Sequence, residues 1–165
     1  VRAMPSVLRV VPEARLLIGS DGPERPSLEA LCGDLGIDDH VRFTGRLSDE
    51  DMRTMIASAD VYVSTSLSDG GLAASTAEAM SSAVPVVVSD FGDNKYWVIN
   101  RITGYLFPLQ DHEALAERLV TVLTDRDDAG RIAENGRIMI EEFDNWDREM
   151  AKMSGIYSGI VTDNE

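Results

Sequence analysis

Cysteine and long apolar runs are scarce in this chain of 165 residues. The single cysteine, Cys32, has no internal partner for a disulfide, so nothing indicates an oxidising compartment, and we predict a buried structural thiol. No apolar run approaches the roughly 20 residues that a membrane-spanning helix requires. The chain begins Val-Arg-Ala without an apolar signal segment, and residues 1–11 already resemble part of a helix, so we expect a cut rather than a natural start.

Positive charge is scarce as well, because 15 Lys and Arg residues face 29 Asp and Glu residues and leave a formal charge of −14. Nucleic acids and anionic membranes bind surfaces with an excess of Lys and Arg, so this balance argues against both kinds of partner. A pocket for one small phosphorylated ligand needs only a few oriented donors and stays possible. Residues 111–165 carry −8 of the charge, and residues 41–110 carry only −3.

What the chain does have is the composition of one globular domain, with 44% hydrophobic and 27% charged residues. Five short apolar runs alternate with stretches of helical spacing. The predicted strands are 14–19, 40–45, 60–65, 85–90 and 103–108, and the predicted helices between them are 26–36, 49–59, 73–83 and 94–100. Ser48 and Asp111 have the residue type and position of helix N-caps.

Apolar strands that alternate with helices predict a doubly wound α/β unit with a parallel sheet covered on both faces. After Pro108 the pattern is helical to near the end of the chain, with breaks predicted at Gly130 and Gly136. We expect a single domain over residues 1–165, with its core in 14–125 and a helical tail in 126–165.

In sheets of this kind, ligands bind beyond the carboxyl ends of the strands. The loops at those ends are rich in Gly, Ser and Asp, a composition that also suits ordinary connections; they are 19–23, 44–50, 64–72, 89–95 and 107–111. Neither the G-x-G-x-x-G nor the P-loop pattern occurs, which counts against a dinucleotide or P-loop site.

The most informative loop follows the third predicted strand. Gly70 and Gly71 would let a diphosphate approach the amino end of the next helix, where free N–H groups and the helix dipole favour anions. Further along that helix, Glu78 has two oxygens that can accept hydrogen bonds from both hydroxyls of a ribose. A solvent-facing Glu78 and a plain turn at Gly70 and Gly71 explain the same residues at least equally well.

In their order and spacing, these segments resemble the carboxyl-terminal half of a retaining glycosyltransferase of glycosyltransferase family 4, or group 1. The family includes sucrose synthase-like and mannosyltransferase-like enzymes. The resemblance rests on residues 11–71, with a G-D-G-P-like loop followed by V-x-F-x-G and A-D-V strands, on TAEAMSSAVPVVVSD at 76–90, and on TGYLFPLQD at 103–111. It implies one lobe of the two-lobed GT-B architecture: a Rossmann-like three-layer sandwich that binds a nucleotide-sugar.

The resemblance also implies roles for single residues around the third strand. Glu78 matches the second Glu of the family's E-x(7)-E motif, which holds the donor ribose. The first Glu would fall at Gly70, so the nearest acid, Asp69, is expected to take its catalytic place, with a turn or N-cap role as an equal alternative. The family's usual F-G after that Glu is absent, with Gly71 and Leu72 nearby in the donor loop.

Gly45, Arg46 and Leu47 match the loop that borders the donor base in the family. Leu47 would pack on the ring of the base, and backbone groups near Arg46 would read its edge. A solvent-exposed surface charge is the alternative for Arg46.

Gly22 and Lys95 complete the predicted donor site, Gly22 in a loop that faces the cleft and Lys95 near the phosphates. A tight turn explains Gly22 equally well. For Lys95 we favour a polar cluster at a helix start, with Tyr96 and Trp97 packing beside it. His40 and His112 are not near a cysteine in the sequence, so no metal site is expected.

Two features of the family are missing from the sequence: a first strand with the basic loop that grips the donor diphosphate, and the amino-terminal acceptor domain. The resemblance therefore implies a lobe that lacks its first strand and has the missing amino-terminal domain of the same chain as its partner. The whole enzyme would transfer a sugar from a UDP- or GDP-sugar, its substrate, to an acceptor hydroxyl with retained configuration. No cofactor is expected, and the chain alone should be inactive.

The resemblance implies a cytoplasmic protein that reaches the cytoplasmic face of a membrane through its missing half. The alternative function is a non-catalytic α/β nucleotide-binding or receiver-like regulatory module. A receiver-like module needs an acidic cluster at an early strand end, where this sequence has only Asp21 in a Gly-Pro turn.

Overall fold

Five short parallel strands form the centre of the fold in the computed structural model, which describes residues 1–67, 72–143, 150–154 and 156. They are β1 Leu16–Ile18, β2 Val41–Phe43, β3 Tyr62–Ser64, β4 Val86–Ser89 and β5 Tyr105–Phe107. Each strand lies within one of the five predicted runs, because β-branched and aromatic side chains suit a pleated, half-buried surface. The strand prediction is confirmed.

Seven α-helices accompany the strands in the described residues up to 143. They are α1 Met4–Val10, α2 Arg25–Leu35, α3 Asp49–Ala57, α4 Ala74–Ser81, α5 Asn94–Trp97, α6 His112–Thr124 and α7 Arg126–Phe143, and a single 3-10 turn covers Asp38–His40. Both predicted N-caps are confirmed: the Ser48 hydroxyl accepts from the Asp51 N–H at 3.1 Å, and the Asp111 carboxylate accepts from the Ala114 N–H at 2.9 Å.

The strands form two hydrogen-bonded ladders, and both are parallel as predicted. In one ladder β1 pairs with β2, with Leu16 opposite Val41. In the other, β4 lies between β3 and β5, with Val87 opposite both Val63 and Tyr105. The described residues contain no ladder that joins β1 to β3, so the hydrogen bonding is divided at this point.

All four residues of β4 are buried, as expected for a strand with neighbours at both edges and helices on both faces. Successive side chains of a strand point to opposite faces. Accordingly, Val87 packs with Leu119 of α6, whereas Val86 and Val88 pack with Met80 of α4. The three-layer arrangement therefore has its core on both sides of β4.

Helix α1 connects the two ladders from one side. Val7 packs in the same cluster as Val87 and the buried residues of α6, whereas Met4 packs with Leu16 of β1 and Val41 of β2. A short helix with buried residues thus contacts both parts of the sheet region.

The predicted breaks at Gly130 and Gly136 are wrong, because α7 continues without interruption from Arg126 to Phe143. A Cβ at Gly136 would lie 2.8 Å from the carbonyl oxygen of Thr103, so glycine lets α7 pass close to that backbone. At Gly130 a Cβ would meet no atom within 4 Å. The chain leaves the helical conformation at Asp125 instead, between α6 and α7.

Helix α7 belongs to the core. Ile132 and Ile140 are 0% and 4% exposed and pack in the clusters on the two sides of β4, and α7 packs along α4. Buried residues thus extend beyond the predicted core of 14–125 on both sides, with Val7 on the amino side. That residues 1–165 form a single domain stays a prediction.

Candidate functional site

Polar residues join the loops at the carboxyl ends of the strands in pairs. The Ser89 hydroxyl at the end of β4 donates to the carbonyl of Ser66 after β3 at 2.8 Å, and the buried Asn94 amide donates to the carbonyl of Ser89 at 3.0 Å. After β2, Thr44 donates from its N–H and its hydroxyl to the carbonyl of Ile18, which ends β1. The segments after β3 and β4 are therefore joined to each other, and those after β1 and β2 are joined to each other.

The amino end of α4 has no side-chain cap. Its N-cap residue, Ala73, has no side-chain oxygen, and the Ser75 hydroxyl in the first turn is hydrogen-bonded to the Tyr62 hydroxyl at 2.8 Å. The first backbone hydrogen bonds of the helix are donated by Thr76 and its successor, so the N–H groups of Ala74 and Ser75 have no intrahelical acceptor. Such N–H groups and the helix dipole favour an anion.

Two buried polar atoms near these loops have no hydrogen-bond partner among the described residues. They are the hydroxyl oxygen of Thr76, in the first turn of α4, and the side-chain oxygen of Asn94. Both residues are 1% exposed. Because buried polar groups are nearly always hydrogen-bonded, unpartnered ones call for an explanation such as a water or a ligand.

Glu78 lies one turn further along α4, about 6 Å from Ala74 along the helix axis at 1.5 Å per residue. Its side chain is exposed, whereas Thr76, Ala79 and Met80 face the core. Within the described part of the chain, no hydrogen bond or ion pair engages the Glu78 carboxylate. Both of its oxygens are therefore available to a ligand, and the same exposure agrees with a solvent-facing helical Glu.

Asp69, Gly70 and Gly71, which were predicted to form the donor loop, lie outside the described residues. Leu72, which follows them, is half-buried and packs in the cluster that includes Met52 of α3 and Tyr62 of β3. The side chain of Leu72 therefore belongs to the core, and its role toward a ligand stays a prediction.

The other predicted ligand loop follows β2. Gly45 has a φ of +72°, in the left-handed region that strains residues with a side chain, so this turn favours glycine. Arg46 is exposed, in agreement with the surface-charge alternative. Leu47 is half-buried beside Gly19, where an added Cβ would lie 3.5 Å from Leu47 Cδ1. Leu47 thus packs against the end of β1.

Arg25 lies beside this loop and is not among the residues that the sequence predicted for the site. Its Nε donates to Glu29 at 2.7 Å, its Nη1 lies 3.6 Å from Asp21, and its guanidinium lies 5.7 Å from the centroid of the Phe43 ring. The hydrogen bond to Glu29 raises the pKa of Arg25 above its usual value. The signal that could have found it is the i, i+4 spacing of Asp21, Arg25 and Glu29.

Met52 of α3 packs near residues of both predicted ligand loops. Its Cε would lie 3.5 Å from a Cβ at Gly19, next to Leu47, and its side chain packs in the same cluster as Leu72. Met52 therefore lies beside the end of β1, where Leu47 also packs, and it joins the core cluster that includes Leu72.

Gly22 lies in a tight turn, as one of its two predictions had it. Its N–H donates to the Asp21 carboxylate at 2.9 Å, and its carbonyl accepts from the Arg25 N–H at 3.1 Å. A receiver-like module needs acids at this strand end, and the sequence offers only Asp21 there. The carboxylate of Asp21 is hydrogen-bonded within the turn. A Cβ at Gly22 would meet no atom within 4 Å, so its role toward a ligand stays a prediction.

Lys95 is exposed on α5, and its ammonium group lies 5.5 Å from the centroid of the Tyr96 ring. Trp97 packs in the cluster around α4, as predicted. The predicted packing of Tyr96 is wrong, since its side chain is 66% exposed. The placement of Lys95 near a phosphate stays a prediction.

An open cavity of about 410 Å³ lies at the carboxyl ends of β3, β4 and β5. Polar Thr65 and Ser89 line it together with apolar Leu67 and Phe107, and Arg2 supplies one positive charge. Loops after all three strands thus share one concave surface. Neither Glu78 nor the Gly45–Leu47 loop contributes to its lining.

Within the described ranges, no three His, Cys, Asp or Glu side chains converge in a way that could hold a metal ion. In the same ranges, no helix combines the length and the apolar character that crossing a bilayer demands. Cys32 is buried, as predicted, and burial raises the pKa of its thiol.

Comparison with known proteins finds a matching family and a protein of similar sequence. The family described as Glycosyl transferases group 1 matches residues 1–139. A GDP-mannose-dependent alpha-(1-6)-phosphatidylinositol monomannoside mannosyltransferase from Mycobacterium tuberculosis is 30% identical over 165 residues, covering 96% of this chain and 43% of the relative. The chain therefore spans less than half the length of this relative.

Solved structures agree with the fold described above. Sucrose-phosphate synthase from Thermosynechococcus elongatus superposes with a TM-score of 0.85 at 28% identity, over 98% of this chain and 42% of that one. Anabaena HepE in complex with UDP-glucose superposes with a TM-score of 0.77 at 22% identity, over 86% of this chain and 40% of that one. These similarities confirm the predicted α/β class and the Rossmann-like carboxyl-terminal lobe of a GT-B glycosyltransferase.

Proposed function

Because this chain belongs to the Glycosyl transferases group 1 family, we propose that it is the donor-binding half of a glycosyltransferase. The complete enzyme transfers a sugar from a nucleotide diphosphate-sugar to an acceptor hydroxyl and retains the configuration of the transferred sugar. This half holds the nucleotide and the leaving diphosphate.

The observation that carries the proposal is the uncapped amino end of α4 with Glu78 one turn further along. Among the described residues the N–H groups of Ala74 and Ser75 have no intrahelical acceptor, so they can donate to a diphosphate, and the helix dipole favours its negative charge. The Glu78 carboxylate has no hydrogen-bond partner within the described ranges, and in this proposal it accepts hydrogen bonds from the two ribose hydroxyls.

The nucleobase is assigned to the loop after β2. Gly45 bends this loop, and Leu47 lies beside Met52 of α3 at the end of β1. Leu47 and the backbone near Arg46 border the base in this assignment. Gly22 and Lys95 are the outer members of the proposed donor site.

Catalysis in this proposal consists mainly of stabilising charge on the leaving diphosphate. Fixed N–H dipoles aimed at a developing negative charge are an effective means of doing so, because they need no reorganisation during the reaction. Asp69 takes the catalytic carboxylate position beside the donor sugar. The remaining positive charge comes from the basic loop that follows the first strand of the complete lobe, and no metal is required.

The names of similar proteins indicate which donors to test. The relative from Mycobacterium tuberculosis is described as GDP-mannose-dependent, and the HepE structure contains UDP-glucose. We therefore assign a GDP- or UDP-sugar as the substrate class. A protein-bound cofactor has no part in this chemistry.

The chain is proposed to depend on a partner domain of the same polypeptide. It spans 43% of the mannosyltransferase to which it is similar, a share that matches one lobe of two. The acceptor site belongs to the amino-terminal lobe, so the chain alone binds the donor weakly and transfers no sugar. Contact with the cytoplasmic face of a membrane is assigned to that missing lobe as well.

A thermal-shift panel tests the proposed function. The chain is heated with UDP, GDP, ADP or acetyl phosphate, each at the same concentration. We expect at least one nucleoside diphosphate to raise the melting temperature, because a ligand that binds only the folded state stabilises it. A shift with acetyl phosphate and none with the nucleotides would instead support the receiver-like alternative and contradict the proposal.

A further inference from the structure

The positive charge of Arg25 is unfavourable at its position in α2 with respect to the helix dipole. Arg25 is the first residue of the helix, where the dipole is positive and a cation is unfavourable by about 0.3–1 kcal/mol. The preceding N-cap residue, Glu24, makes no side-chain capping hydrogen bond to compensate. Residues that break a local rule are expected at functional sites.

The contacts of Arg25 join three separate parts of the chain. Asp21 belongs to the loop after β1, Glu29 lies one turn further along α2, and Phe43 ends β2. Its side chain is 34% exposed, so these contacts are made at the rim of the fold rather than in the core. One guanidinium thus connects the loops that follow the two strands of the first ladder.

The guanidinium also lies against the bend that begins the loop after β2. Arg25 Nη1 would be 3.8 Å from a Cβ at Gly45, the residue with left-handed backbone. On the strand side, Thr44 ties the same bend to the Ile18 carbonyl. The bend at Gly45 is therefore bordered on two sides, by the Thr44 hydrogen bonds within the ladder and by the Arg25 guanidinium outside it.

We propose that Arg25 is a positioning residue that fixes the Gly45–Leu47 loop in the conformation that accepts the nucleobase. The inference rests on the proposed function, which assigns the base to this loop. A direct phosphate contact is the less favourable role, because the two carboxylates of Asp21 and Glu29 leave the cluster with a net negative charge. Arg25 thus contributes to binding of the nucleobase and not to binding of the diphosphate.

The test compares Arg25→Met with wild type by calorimetric titration of GDP, UDP and pyrophosphate. Of GDP and UDP, one binds wild type more tightly. We expect Arg25→Met to lower the affinity for that nucleotide at least fivefold and to leave the affinity for pyrophosphate unchanged. Arg25→Lys, which keeps the charge but not the planar contact with Phe43, should recover part of the loss. A general loss of stability would lower the melting temperature without this selective effect on the nucleoside.

Arg126→Met is the matched control, because Arg126 also forms an ion pair, with Asp60 at 2.6 Å, but at the amino end of β3. It should leave all three affinities unchanged. The inference is overturned if Arg25→Met and wild type bind the nucleotide with equal affinity. It is also overturned if Arg25→Met loses affinity for pyrophosphate to the same extent as for the nucleotide. Failure of wild type to bind any nucleotide overturns the proposed function and this inference with it. If Arg25→Met does not fold, Arg25→Lys carries the same comparison.

Discussion

The close passage of α7 over the segment that precedes β5 predicts opposite effects for two glycines of one helix. Gly130 and Gly136 both lie inside α7, where replacing glycine by alanine gains about 1 kcal/mol of helix propensity. At Gly130 an added methyl group meets no atom within 4 Å, so Gly130→Ala should stabilise the fold by about 0.5–1 kcal/mol.

At Gly136 the methyl group would lie 2.8 Å from the Thr103 carbonyl oxygen. That carbonyl cannot move easily, because the Thr103 N–H donates to the Ile99 carbonyl and its hydroxyl accepts from the Ile99 N–H. Overpacking of this kind costs about 1–3 kcal/mol, and a rigid backbone neighbour places the cost near the upper end. After the gain in propensity, Gly136→Ala should lose about 2 kcal/mol.

The assay is urea unfolding of both variants and wild type, followed by far-ultraviolet circular dichroism. The two variants should differ by about 3 kcal/mol in unfolding free energy, with equal dependence on urea. If Gly136→Ala were as stable as Gly130→Ala, α7 would not lie against Thr103, and its packing as described would be wrong.

Three further predictions concern single residues. Ala83 follows α4 with a φ of +53°, so Ala83→Gly should raise the unfolding free energy by about 0.5–1 kcal/mol, measured by urea unfolding; a loss would contradict the left-handed conformation. Gly45→Ala should cost about 1–2 kcal/mol because of its φ of +72°, and equal stability would refute the strain. The hydrogen bond from Arg131 holds the pKa of Asp128 below its usual value. The stability that this carboxylate contributes is therefore present above the pKa of the unfolded state and is lost as the pH falls through the lowered pKa. Asp128→Asn should therefore show a flatter dependence of melting temperature on acid pH than wild type, and identical profiles would exclude this contribution.

Local patterns were sufficient to predict most elements of the fold. Strands β1 to β5 lie in short runs in which Val, Ile, Leu and aromatic residues predominate, and such side chains fit a pleated, half-buried surface. Ser48 and Asp111 were predictable because a cap bonds to a backbone group three residues away.

Features that depend on distant neighbours were missed. A glycine in a helical pattern indicates either a break or a close approach, and only the position of the Thr103 carbonyl decides for Gly136. Ala83 has a left-handed backbone conformation, which is unusual for alanine. Tyr96 has an aromatic side chain that is exposed, which is unexpected from its residue type.

Parts of the candidate site have a signal in the sequence. Glu78 was singled out from its residue type and the family resemblance, and Gly45 from the resemblance. Glu78 is exposed on α4 and Gly45 forms a left-handed bend after β2, and their roles toward a ligand stay predictions. Arg25 was missed because its partner Phe43 is eighteen positions away in the sequence, so their contact depends on the pairing of β1 with β2. The division between the two ladders also has no signal in the alternation of strands and helices.

The most direct measurement of the central claim compares the affinity of wild type and Glu78→Ala for GDP, UDP and their 2′-deoxy forms. Of GDP and UDP, one binds wild type more tightly. Glu78→Ala should lower the affinity for that ribonucleotide tenfold or more, because hydrogen bonds to a charged group contribute about 1.5–3 kcal/mol each. Glu117→Ala, at an exposed Glu of α6, is the control and should change nothing. We predict that wild type prefers the ribonucleotide over its 2′-deoxy form and that Glu78→Ala loses this preference. An undiminished preference in Glu78→Ala would contradict the assignment of the ribose to α4.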